Sequence, residues 1–402
     1  MKIGIITLWG CSNYGQNLQV YALQRFLRDA GHDAFLIRYP LIEYHDESPA
    51  KWLKLFLKNT IPPILLYLIY RIKGKKINIS SIKKKSVSFK KKFSFYRDPS
   101  YLIHLRSIGQ FLDAYVNQSE LFYPSIKDIK SFPPDAGAYI TGSDQVWNFW
   151  GQPLTVAKHE TADAFFLNFG KAETKRIAYA ASFGTRTVDK KSAKIIRPLI
   201  GKFSYVSVRE ESGLEFCKSC GYNDAEWVPD PVLLLDKNHY RSLYKDSKTA
   251  KQEPPFCLVY MIRDNQHFLQ KLYSWAKQKN YAVCLITNSG LVQHAYRETF
   301  ATIPQWLNLI DNAEYVITDS YHGSVFSVIF GKSFGIIPFP GCEADIRLND
   351  LFKRFKLRFP LLDDTFVSFT TNEEINAASV ILDEIYAKYT FDWFNKILSL
   401  PK

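Results

Sequence analysis

The stretch Glu314-Tyr-Val-Ile-Thr-Asp-Ser-Tyr-His-Gly-Ser-Val-Phe-Ser-Val-Ile-Phe-Gly331 decides the fold. A short apolar run stops at a polar turn, and a small-residue apolar segment follows at once. A buried parallel strand hands over to a helix in this way in an open α/β sheet. Ligands of such sheets sit outside the carboxyl ends of the strands, where the new helix offers free backbone N–H groups and the positive end of its dipole. Asp319, Ser320, Tyr321 and His322 fall on that junction, and Gly323 and Ser324 open the helix. His322 is the only one of them that titrates near neutral pH.

The same alternation runs outward in both directions and predicts βαβ units. Strands are expected at Lys2–Trp9, Asp33–Tyr39, Ala136–Thr141, Lys175–Ser182, Tyr205–Val208 and Trp227–Leu235. A helix from about Asn13 to Ala30 ends at Gly31, and a short one covers Ser212–Cys220. After a lysine-rich, Pro-ended linker, strands resume at Phe256–Ile262, Tyr281–Thr287 and Phe334–Phe339. The expected class is α/β, with two Rossmann-like domains facing a cleft: 1–236, a linker 237–255, and 256–402. No repeat or low-complexity tract is present.

The net charge of +13 is unevenly placed. Residues 48–97 hold 14 Lys or Arg and no acid, which leaves 38 basic against 39 acidic residues elsewhere. A nucleic-acid enzyme would spread its basic residues along a groove, so no nucleic acid is expected as partner. The basic segment also carries Trp52-Leu-Lys-Leu-Phe-Leu-Lys58 and Ile64-Leu-Leu-Tyr-Leu-Ile-Tyr70. Pro62, Pro63 and the interrupting lysines make it too short to span a bilayer, which takes about 20 apolar residues. It suits an interfacial helix pair on an anionic membrane surface, an expectation that liposome binding by a chain lacking 51–92 would test. With no signal-peptide pattern at Met1–Gly10 and six scattered cysteines, a cytoplasmic protein peripheral to the inner membrane face is expected. Cys217 and Cys220 form a lone C-x-x-C without a nearby His, so no metal site is expected.

Polar residues gather at the strand ends. In Gly10-Cys-Ser-Asn-Tyr-Gly-Gln-Asn-Leu-Gln19, Asn13, Tyr14, Gln16 and Gln19 can pair with hydroxyls, while Ser12 or Asn13 can cap the helix. The stretch is not G-x-G-x-x-G, so a dinucleotide fingerprint is absent. In Gly142-Ser-Asp-Gln-Val-Trp-Asn148, Asp144, Gln145, Trp147 and Asn148 read as a sugar platform of amides beside an aromatic face. Arg209 in Ser207-Val-Arg-Glu210 suits a phosphate or carboxylate through its planar fork, with a structural pair to Glu210 equally open from spacing.

These junctions, with Ala181-Ser-Phe-Gly184, Asp230-Pro231 and Asp319-Ser-Tyr-His-Gly323, occur in an order that resembles the polysaccharide pyruvyl transferase family from about Met1 to Leu357. The resemblance implies a GT-B-like fold. It also implies transfer of the carbon skeleton of phosphoenolpyruvate, a co-substrate, to a sugar as a cyclic ketal, with no cofactor. The acceptor would be a sugar of a surface polysaccharide (capsule or exopolysaccharide) or its polyprenyl-diphosphate-linked precursor. Many members carry Arg-Leu-His where this chain has Ser320-Tyr321-His322, which leaves more of the phosphate to Arg209 or Arg347. On this reading His322 is the general acid, held by Asp319. Arg209 and Arg347 clamp the donor beside Ser320, Tyr321, Gly323 and Ser324, and the two first-domain loops seat the acceptor. Two alternatives remain at the sequence level. One is a GT-B glycosyltransferase using a nucleotide sugar, although no acidic residue after the second-half strands is placed to bind a ribose. The other is a non-catalytic scaffold of a polysaccharide-synthesis complex.

Overall fold

The structure is a computed structural model that describes residues 1–39, 99–148, 162–184, 190–245, 255–287, 301–341 and 345–401. The chain divides into two compact units, Met1–Leu41 with His104–Lys402, and Ile42–Ile103. Of the smaller unit only the start of the Pro99–Tyr115 helix is among the described residues, and the basic segment 48–97 lies outside them. Among the described residues no helix is long and apolar enough to cross a membrane.

The large unit holds two sheets. The first has seven parallel strands: β1 (Lys2–Ile6), β2 (Asp33–Arg38), β3 (Gln118–Phe122), β4 (Ala138–Thr141), β5 (Lys175–Ala181), β6 (Tyr205–Val208) and β7 (Glu226–Trp227), in the order β3-β2-β1-β4-β5-β6-β7. The second has β8 (Phe256–Met261), β9 (Ala282–Thr287), β10 (Tyr315–Thr318) and β11 (Phe334–Ile336), parallel and ordered β11-β10-β8-β9. Every residue of β4 and β8 is buried, as are Ile3–Ile6 of β1. Helices cover both faces of such sheets, which is why these strands read as unbroken apolar runs rather than alternating ones. The two Rossmann-like sheets expected from the periodicity are therefore present.

Strand order locates the crevices. The chain builds β2 and β3 on one side of β1 and then crosses to β4 on the other. In the second sheet it lays β9 beside β8 and then places β10 on the far side. Loops leave such a switch point in opposite directions and open a crevice at the strand carboxyl ends. The β1/β4 crevice is bordered by residues 7–13 and 142–148, the β8/β10 crevice by 262–264 and 319–322.

Three features depart from the sequence expectation. Trp227–Leu235 is not one strand. β7 stops at Trp227, and Pro231–Leu234 forms a 3-10 turn capped by Asp230, whose Oδ1 accepts from Val232 N at 3.1 Å. Pro229 and Pro231 have no N–H to give a ladder, so the strand ends before them. Secondly, β3 was not anticipated: Gln118-Ser-Glu-Leu-Phe122 is an edge strand with mostly exposed side chains and has no apolar signature. Thirdly, the Phe391–Ser399 helix returns to the first sheet. Phe394 lies 5.7 Å from Tyr179 of β5 and 6.1 Å from Phe26 between ring centroids, and Lys175 donates to the Leu400 carbonyl at 2.7 Å.

Candidate active site

At the β1/β4 crevice the first loop is stitched to the second from inside. Gln19, fully buried on the Tyr14–Asp29 helix, donates to Thr7 Oγ1 at 3.0 Å and the Leu8 carbonyl at 3.1 Å, and accepts from Ser143 N at 3.2 Å. Asn13 caps that helix by accepting from Gln16 N at 3.2 Å, and Gln16 Nε2 donates to Asp144 Oδ2 at 3.3 Å. Tyr14 is buried, stacks on Trp306 at 5.2 Å and donates to the Ala301 carbonyl at 2.7 Å. Gln19 and Tyr14, expected to meet a sugar, are thus core and cross-link residues. Buried amide and phenol groups must find partners inside the protein, and these have done so.

Trp147 needs the same correction. Its indole is wholly buried, stacked on Phe166 at 4.6 Å with 3° between planes, and its Nε1 donates to the Phe165 carbonyl at 3.1 Å. No face is left for a pyranose. Gln145 and Asn148 remain half-exposed, joined by an Asn148 Nδ2 to Gln145 Oε1 bond of 2.5 Å. Gly184 lies against this pair: at its φ of +59° a Cβ would sit 2.6 Å from Gln145 Oε1 and 2.7 Å from Asn148 Nδ2.

Below the loops lies a buried charge cluster. Arg209, at the end of β6 and 2% exposed, donates from Nη1 to Asp230 Oδ2 at 2.9 Å and from Nε to Glu210 Oε1 at 3.2 Å, and from Nη2 reaches Asp144 Oδ1 at 3.4 Å. Ser182 Oγ donates to Glu210 Oε1 at 2.5 Å, and Ser143 Oγ to Asp230 Oδ2 at 3.1 Å. One guanidinium therefore faces three carboxylates, and both edges of its fork are engaged. Arg209 cannot be the phosphate clamp expected of it. Breaking such a pair would leave an uncompensated buried charge at a cost of about 3–5 kcal/mol.

The motif of the second half enters this cluster. The Tyr321–Phe330 helix starts where β10 ends; Ser320 caps it by accepting from Gly323 N at 3.3 Å, and Ser324 Oγ donates back to the Ser320 carbonyl at 3.1 Å. Gly323 is required by closeness, because a Cβ there would lie 2.5 Å from Thr318 Oγ1. The Tyr321 ring covers the Arg209 guanidinium at 4.7 Å, a cation–π contact. His322, 5% exposed, places Nε2 at 3.6 Å from Asp230 Oδ2, and this buried nitrogen makes no hydrogen bond among the described residues. Burial works to raise the Asp230 carboxyl, but His322 and Arg209 outweigh it and hold the group well below the usual carboxylate range. The other side of the imidazole rests on Gly15, where a Cβ would stand 2.1 Å from His322 Cγ and 2.4 Å from Nδ1. Gly15 and His322 lie 307 positions apart in the chain, and the fold makes them one site.

Asp230, not Asp319, is the partner of His322. Asp319 turns to the β8/β10 crevice, where its oxygens accept from Ile262 N at 2.6 Å and Arg263 N at 2.8 Å. Desolvation by burial raises its carboxyl, partly offset by those two bonds and by Arg263. Arg263 donates through Nη1 to the Asp319 carbonyl at 3.1 Å and to its Oδ2 at 3.3 Å, and lies over the Phe339 ring at 3.9 Å. Arg347 instead folds onto Asp345, the cap of the Ile346–Phe355 helix, through Nε at 3.3 Å and Nη2 at 2.9 Å. The sequence reading passed over Asp230, Glu210 and Arg263 as site residues. The Asp230-Pro231 dipeptide was a usable signal for the first, and Ile262-Arg263-Asp264, a strand end patterned like Val208-Arg209-Glu210, for the last.

No curated protein matches the chain. Among solved structures it is similar to the UDP-GlcNAc 2-epimerase from Methanocaldococcus jannaschii in complex with UDP-GlcNAc and UDP, at 14% identity over 95% of this chain and 93% of that one, TM-score 0.42. It is also similar to a UDP-GlcNAc 2-epimerase from Neisseria meningitidis bound to UDP-GlcNAc (9%, 100% and 95%, TM-score 0.41) and to the glycosyltransferase SsfS6 of Streptomyces sp. SF2575 (9%, 99% and 99%, TM-score 0.41). The model of one family, polysaccharide pyruvyl transferase, matches residues 13–338, from the cap of the first helix to the loop after β11 and through every junction of the site, and the chain belongs to that family.

Proposed function

We propose that this protein transfers the pyruvyl skeleton of phosphoenolpyruvate to two hydroxyls of one sugar, in a surface polysaccharide or its lipid-linked precursor, with His322 as the acid. The observation that carries the reading is the seat of His322: buried, its Nε2 turned to an ionised Asp230, its other face against Gly15 of the first-half loop. The Asp230 carboxylate stands on the Nε2 side of the ring. On this reading Nδ1, on the Gly15 side, is the nitrogen that exchanges a proton with a bound reactant.

The reaction needs such a group. A proton added to the methylene carbon of the enol makes a methyl and leaves oxocarbenium character at C2. A sugar hydroxyl attacks C2, the bond from C2 to the phosphate oxygen breaks, and a second hydroxyl closes the ketal. Of the two hydroxyl protons released, one balances the new methyl and one leaves with phosphate. Asp230 counters the imidazolium that delivers the first proton and the one that re-forms when a hydroxyl proton is taken up. His322→Gln is expected to lower phosphate release from phosphoenolpyruvate, in the presence of glycan acceptors, by about 10²–10⁴-fold. Full turnover in that variant would remove the acid assignment.

A further inference from the structure

Two arginines of the second half, Arg263 directly after β8 and Arg347 in the first turn of the Ile346–Phe355 helix, differ in what they have left to give. Arg347 has Nε and Nη2, one edge of its fork, closed on the Asp345 carboxylate and is 23% exposed. Arg263 is 42% exposed and engages only Nη1; Nε and Nη2 have no partner among the described residues. Its position is nevertheless constrained. The Phe339 ring supports one face of the guanidinium, and Asp319, itself pinned by two backbone N–H groups, holds one corner. A planar fork kept in one orientation, with two parallel donors unspent, is the arrangement that takes a carboxylate or phosphoryl group bidentately. It stands at the switch point of the second sheet, where ligands of such sheets bind. Its brace, Asp319, lies three residues before His322 in the chain.

We propose that Arg263 is the anion anchor of the donor, binding the carboxylate or phosphoryl end of phosphoenolpyruvate, and that Asp319 and Phe339 are positioning residues for it. The anchor rests on the function proposed above and assigns its donor end to the second sheet. Arg209, enclosed by carboxylates, serves the structure of the acid site instead.

The experiment is calorimetric titration of the full chain with phosphoenolpyruvate, inorganic phosphate and pyruvate, using wild type, Arg263→Gln, Arg263→Lys and His322→Gln. The expected result is at least tenfold weaker phosphoenolpyruvate binding in Arg263→Gln, partial recovery in Arg263→Lys, which keeps charge but not the fork, and retained binding in His322→Gln. A parallel loss of phosphate binding would place the phosphoryl group on Arg263, and a parallel loss of pyruvate binding the carboxylate. Undiminished binding by Arg263→Gln overturns the anchor and leaves the pyruvyl transfer reading standing. Absence of binding by the wild type overturns both.

Discussion

Two arginines end parallel strands in near-identical sequence, Val208-Arg209-Glu210 and Ile262-Arg263-Asp264, and the fold gives them opposite fates. Around Arg209 the ends of β4, β6 and β7 converge and deliver Asp144, Glu210 and Asp230, so the guanidinium is consumed internally. Around Arg263 the available carboxylate, Asp319, is already committed to two backbone N–H groups and takes one corner of the fork. A strand-end arginine is a binding group only where the strands beside it leave its donors unspent. Which side chains a neighbouring strand brings is set by sheet order, not by the residues flanking the arginine.

The contrast breaks most sharply on stability. Arg209→Gln strands three buried carboxylates and is expected to cost about 3–5 kcal/mol in urea unfolding. Arg263→Gln removes a partly exposed guanidinium from a buried carboxylate that keeps its two backbone N–H bonds, and should cost less, about 1 kcal/mol. Equal costs would mean that the two sites do not differ as described. Gly15→Ala probes the same cluster from its roof. The added methyl overlaps the His322 ring, so either the loop or the imidazole must move, for an expected loss of about 1–3 kcal/mol together with reduced turnover. A variant that keeps full stability and full activity would show that Gly15 does not seat the imidazole.

A further expected effect is one of pH, and concerns the support behind Arg209. Asp350, on the Ile346–Phe355 helix, accepts from Glu211 N at 2.8 Å and from Trp227 Nε1 at 3.0 Å, and that indole also donates to the Arg209 carbonyl at 2.9 Å. Burial pushes the Asp350 carboxyl up to about 6. A folded-state value above the unfolded one contributes stability that is complete below pH ~4 and is lost as pH rises through about 6. Asp350→Asn carries no such dependence, so its stability relative to wild type should grow between pH 4 and pH 7. A constant difference across that range would place the carboxyl at its ordinary value.

Much of this was legible in the chain because periodicity is a local property. Buried parallel strands such as Phe256–Met261 must be apolar throughout, and the helices between them must show a face, so two Rossmann-like sheets follow from pattern alone. His322 at a strand-to-helix turn was legible for the same reason. The edge strand Gln118–Phe122 was not, because an exposed edge needs no apolar code. Trp147 was misread because an aromatic beside amides looks the same in sequence whether it faces solvent or stacks on Phe166.

By itself, then, the sequence determined the class of fold, the strand ends where polar groups gather, the family, and the place of His322 at a strand-to-helix turn. Tertiary structure alone decided who stands next to whom: Asp230 rather than Asp319 beside His322, Gly15 beneath its ring, Arg209 closed and Arg263 open. The physical reason is range. Strand and helix signals come from residues a few positions apart, whereas a charge is matched, or left unmatched, by side chains that only the order of strands brings within a few ångströms.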